Sequence, residues 1–76
     1  MAAKVRDAAI ATKMVQVHLD RALELLEAHA RINASGVLRR PRPRRAALLE
    51  AAAHITAAAQ LIETTKWPTQ RDYDEA

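Results

Sequence analysis

Five arginines and two prolines share one short stretch, Arg39-Arg40-Pro41-Arg42-Pro43-Arg44-Arg45, the densest concentration of binding chemistry in the chain. A guanidinium is a planar fork that keeps its charge and donates two parallel hydrogen bonds to a phosphate or carboxylate. Like charges this close repel, and the prolines remove backbone donors and fix φ. The stretch is therefore expected to lie outside any helix interior or core, in water or against an anion. Arg39, Arg40, Arg42, Arg44 and Arg45 are the candidate anion-binding residues, with RNA, DNA or an acidic protein surface as the partner. The competing reading is a solvated turn. Base-specific readout is not implied, because zinc-ligand spacing, glycine-flanked aromatic motifs and a short helix-turn-helix connection are all missing.

The remaining candidates for chemistry are weaker. His18 and His29 are separated by about 16 Å along a helix, too far to ligate one ion, and His54 belongs to a different segment. There is no cysteine and no histidine pair at helical spacing, so neither a metal site nor a cofactor is expected. Glu50, one turn from His54, is its expected partner. Asp20, Glu24 and Glu27 share a polar helix face, where carboxylates serve solubility and pairing, as Glu27 can with Arg31. A nucleophile, base and orienting group do not occur together, and a single glycine leaves no loop of free N–H groups to cradle phosphate. The chain reads as non-enzymatic.

Two alanine- and leucine-rich stretches must position the arginines. The first is expected to be helical from about Ala3 to Ala34, with Ser35-Gly36 as its stop, and about 48 Å long. At 100° per residue it carries one apolar stripe through Val5, Ala8, Val15, Leu19, Ala22, Leu23, Leu26 and Ala30. A second stripe runs through Ile10, Met14, Val17, Leu25, Ala28 and Ile32, leaving a narrow polar face. The second helix is expected from Pro43, as first helical residue, to about Lys66. Leu48, Ile55 and Ile62 recur there every seven residues with alanines between them, a pairing seam. A loop over 37–45 joins the two, which predicts that facing residues carry numbers adding to roughly 78 and that Trp67 folds onto Ile10 and Met14.

These readings give two regions: a helical hairpin over residues 1–68, and an acidic, flexible tail over 69–76 in which Tyr73 is a candidate docking residue. The fold class is all-α, an antiparallel two-helix hairpin. With 76 residues, no phenylalanine and no disulfide, the core is thin, and dimerisation into a four-helix bundle is the expected source of further stability. Ile10, Met14, Val17, Leu25, Ile32, Leu48, Ile55 and Ile62 are the residues assigned to the oligomer or partner interface. No run is long and apolar enough to span a bilayer, and Met1 to Lys13 lacks the apolar block of a secretory signal, so no membrane contact and a cytoplasmic location are expected.

The functional expectation is a small non-catalytic hairpin that self-associates and contacts nucleic acid or a ribonucleoprotein through its arginine loop. The alternative is a protein-binding adaptor or inhibitor, of the kind carried by mobile elements, acting through an apolar helix face or the acidic tail.

Overall fold

The computed structural model describes residues 3–32 and 36–74. It is all-helical: α1 (Ala3–His29) and α2 (Pro41–Thr64) form an antiparallel hairpin, and a short α3 (Gln70–Asp74) returns to lie beside α1. The molecule is a rod of 59 × 16 × 13 Å. Asn33, Ala34 and Ser35, the expected end of the first helix, lie outside the described residues, as do Glu75 and Ala76 of the tail.

The seam between α1 and α2 is built on alternating steps of three and four. Along α1 the residues turned to the partner are Ala8, Ala11, Val15, His18, Ala22, Leu25 and His29; along α2 they are Arg44, Ala47, Ala51, His54, Ala58, Leu61 and Thr65, all buried or half-buried. This is the 3.5-residue repeat of a left-handed pair. Alanine at most of these positions lets the two backbones approach closely, and Leu25 is the one bulky side chain in the buried set, packed with Ala22, Ala47 and Ala51. Burying methyl groups yields little, since apolar burial stabilises by roughly 25 cal/mol per Å².

This seam corrects the sequence reading in two places. Leu25 was assigned to the outward interface stripe but is 7% exposed and belongs to the hairpin core. A straight 100° wheel drifts by about 20° per heptad against a supercoiled seam, enough to move Leu25 to the wrong face. Leu48, Ile55 and Ile62 do repeat every seven residues, but they stand one position beside the seam, which Ala47, His54 and Leu61 occupy instead.

Register differs as well. His18 faces His54 and Arg21 faces Glu50, so facing numbers add to 71 or 72 rather than roughly 78. The cause is that α1 ends at His29, earlier than expected, and α2 begins at Pro41, before Pro43. Trp67 consequently falls near the level of Val5 rather than of Ile10 and Met14, and its indole N–H donates to the Ile62 carbonyl at 2.8 Å.

The lower end is closed by side chains rather than by glycine. Thr64 Oγ1 donates to the Gln60 carbonyl at 2.9 Å, Thr65 Oγ1 donates to that of Leu61, and Trp67 takes that of Ile62, satisfying the last carbonyls of α2. In place of a structureless tail, Thr69 and Asp72 form a reciprocal cap: the Thr69 N–H donates to the Asp72 carboxylate at 2.7 Å and the Asp72 N–H to Thr69 Oγ1 at 3.4 Å. That pair starts α3.

Candidate functional site

The arginine stretch is less a loop than the start of a helix. Pro41 and Pro43 fall in the first turn of α2, where the N–H groups they lack would have had no helical partner. Arg42 therefore lies within the helix, before the expected start at Pro43, together with Arg44 and Arg45. Arg40 precedes Pro41 with φ 51° and ψ 57°, a left-handed conformation that costs a non-glycine residue about 1 kcal/mol. No side chain caps this helix start. Gly36, the expected helix stop, has φ 82° but sits out in the connection, beyond the end of α1.

Arg44 departs most from its assigned role. Its guanidinium turns back across the hairpin and donates to the carbonyls of His29, of Arg31 at 3.2 Å and of Arg39 at 3.3 Å. A cation on the terminal carbonyls of α1 also meets the negative end of that helix's dipole. Arg44 thus fastens the turn, with its Nε and Nη1 donors committed to protein carbonyls. The anion-binding candidates reduce to Arg39, Arg40, Arg42 and Arg45, which are exposed and make no ion pair among the described residues. Arg31, read from the sequence as a partner of Glu27 on the polar face, is exposed at the same end and is a fifth cation there. Its signal was its place just before the turn, which only the early end of α1 makes evident.

Beneath these cations an apolar cleft of about 290 Å³ opens between Ile32, Leu38, Pro41, Leu48 and Leu49, with Arg44 and Arg45 in its wall. Ile32, assigned to the interface, is one of its linings and is exposed. The end of the hairpin therefore presents charge around an apolar depression.

The other interface candidates divide between two sides. Ile10, Met14 and Val17 lie on the side of α1 where Arg21 bridges to Glu50 at 3.4 Å and where Met14, Ala57 and Thr64 line an open groove. Leu48, Ile55 and Ile62 lie on the opposite side. Each follows a seam residue directly, as do Leu19 after His18 and Leu26 after Leu25. Residues in that position on two antiparallel helices flank the same edge of the seam. The exposed leucines Leu19 and Leu23 are thus the companions of the α2 stripe, a grouping absent from the sequence reading, which placed them in the first apolar stripe and outside the interface set.

At mid-seam His18 Nδ1 and His54 Nδ1 are 2.9 Å apart, with ring centres 5.2 Å apart and planes tilted by 39°. One ring must donate and the other accept, so the pair is held by complementary tautomers. Glu50, expected beside His54, pairs with Arg21 instead. No group of three or more potential metal ligands occurs among the described residues. Two of the three acids of the polar face have local partners: Asp20 accepts from Gln16 at 2.7 Å and Glu24 from Arg21 at 3.1 Å.

Among the described residues no helix is long and apolar enough to cross a membrane. Comparison with protein-family models, with curated proteins and with solved structures returns no match, so the reading of this site rests on its own geometry.

Proposed function

We propose that this chain is a non-catalytic, self-associating helical hairpin of the cytoplasm that binds an anionic partner, nucleic acid or a ribonucleoprotein, at its arginine end. The observation that carries the reading is the set Arg39, Arg40, Arg42 and Arg45, exposed and without ion pairs among the described residues, with Arg31 beside them. A solvated turn needs no such accumulation at one tip. Four guanidiniums at one point concentrate positive potential and recognise phosphate through charge and paired hydrogen bonds, without sequence preference.

The test is binding of short RNA and DNA duplexes over a salt series. Neutralising about four phosphates gives a slope of log affinity against log salt of about −3 to −4 on duplex DNA. Replacing Arg39, Arg42 and Arg45 together by alanine is expected to flatten that slope and abolish binding at low salt; unchanged binding refutes the reading. Arg44 stays in place because its removal disturbs the turn. Arg40→Gly serves as a further variant, since glycine accepts the left-handed backbone there.

A second reading, a protein-binding adaptor, draws on Ile10, Met14 and Val17, which are exposed in one strip of α1. It predicts a stoichiometric protein complex that survives high salt and is lost on Val17→Asp. Leu25→Asp is not a suitable probe, because that residue is inside the hairpin.

A further inference from the structure

We propose that the side of the hairpin formed by Leu19, Leu23, Leu26, Leu48, Ile55 and Ile62 receives a second copy of this chain in antiparallel orientation, so that the arginine ends stand at opposite poles of a four-helix bundle. This rests on the self-association named above and not on the binding of nucleic acid.

Three observations select the occupant. The protomer has almost no core of its own: among the described residues six of the seven buried apolar ones are alanines, and no large side chain is fully buried. Meanwhile Leu23, Ile55 and Ile62 are 55%, 46% and 51% exposed. A chain of this size needs another apolar contact to be stable.

The exposed face also has the form a twin requires. Apolar residues occupy most of the two seam positions, His18, His29, Arg44, His54 and Thr65 apart, and bulky ones most of the positions directly after one of them, in both helices, which is the pattern of a helix in a bundle rather than in an isolated pair. Between Arg45 and Lys66 no ionisable side chain of α2 lies on this face, and the facing strip of α1 offers only Thr12 and Gln16 as polar groups. By the register of His18 with His54, the six bulky residues spread about the level of Leu19, near the middle of the hairpin. A two-fold axis through that level lays the face on itself, as an isologous contact demands.

Charge then fixes the orientation. Six arginines, from Arg31 to Arg45, crowd the turn, with Glu27 the nearby acid. At the other end Asp7, Glu63, Asp72 and Asp74 balance Lys4, Arg6, Lys66 and Arg71. Parallel pairing would set two arginine clusters side by side, within or near the screening length of about 8 Å at physiological salt. Antiparallel pairing about the level of Leu19 separates them by roughly 30 Å, far beyond screening, and brings each beside an end whose charges balance. The dimer then offers two independent anion sites, one per pole.

The chain has no cysteine, so Val37→Cys, at an exposed position in the turn, takes a single spin label per protomer. The expected result is a dimer by sedimentation with a label-to-label distance of about 30 Å or more by double electron–electron resonance. A distance under about 20 Å means parallel pairing and overturns the orientation. Leu23→Glu and Ile62→Glu, both solvent-facing in the protomer, are expected to give helical monomers by circular dichroism and mass, while Val17→Glu on the other side stays dimeric. Monomers from Val17→Glu, dimers from both face variants, or a wild-type monomer that gains mass only with a different protein each overturn the proposal. Loss of RNA binding with the dimer intact would count against the anion reading alone.

Discussion

The two long sides of this hairpin are built from the same helices by the same spacing rule and differ in what stands next to the seam. On one side the residues just before seam positions are Met14, Arg21, Glu50, Ala57 and Thr64, and a solvated ion pair, Arg21 with Glu50, spans the helices. On the other, the residues just after seam positions are Leu19, Leu26, Leu48, Ile55 and Ile62. Water suits the first arrangement and not the second. The lesson is that a seam of alanines brings helices together without stabilising them much, and the bulky residues displaced from it gather on one flank. The flank, more than the seam, is where this sequence has placed its apolar area.

The contrast can be broken most severely from inside. Leu25→Ala removes the only bulky buried side chain among the described residues and is expected to cost about 2–4 kcal/mol in urea unfolding, whereas Val17→Ala, 66% exposed, should stay within about 0.5 kcal/mol. Similar costs for the two would mean that the seam is not where the protomer is held.

Next comes the turn. Arg44→Ala frees carbonyls at the end of α1 and is expected to cost about 1–2 kcal/mol, while Arg42→Ala leaves stability within about 0.5 kcal/mol and weakens anion binding. Equal stability of the two variants would remove the structural role given to Arg44.

On the charged side the expected effect is smaller. Arg21 and Glu50 are each about half exposed, so Glu50→Gln should cost roughly 0.5 kcal/mol at low salt and nothing measurable at high salt. A salt-independent loss would show that this side carries more of the fold than its exposure implies.

The smallest effect is at α3. Hydrogen bonds from Thr69, backbone first, and the nearby Lys4 charge hold the Asp72 carboxyl below its ordinary value of 3.8. A carboxylate with a depressed value favours the folded form above the ordinary value and loses that contribution as pH falls through the depressed one. The amides of Asp72 to Asp74 should therefore exchange faster below about pH 3.8 while those of α2 do not respond, and Asp72→Asn should remove the difference. Exchange at α3 that ignores pH would contradict the cap.

The hairpin itself was legible in the sequence because prolines, a single glycine and helical periodicity are local signals. Two kinds of information were not. Which carbonyls a guanidinium reaches depends on register, and register depends on where α1 stops; nothing in Ala30, Arg31 or Ile32 disfavours helix, and the ending coincides with Arg44, a tertiary partner. Similarly, His18 and His54 meet across the seam only once that register is set, so a search for local partners assigned Glu50 to the wrong residue. Of the interface candidates Ile10, Met14, Val17, Ile32, Ile55 and Ile62 are exposed, Leu48 is half-buried and Leu25 is buried, but a wheel drawn for one helix cannot tell which outward strips of two helices adjoin. That is why Ile10, Met14 and Val17 were grouped with Leu48, Ile55 and Ile62 although the hairpin separates them.

Sedimentation equilibrium of the unmodified chain across the micromolar range tests the account most directly. A mass of two chains, with helix content and melting temperature that fall on dilution, is the predicted result. A single chain that remains fully helical and melts at the same temperature at every concentration would contradict it, because the alanine seam would then be sufficient and the apolar flank would stand in water unaided.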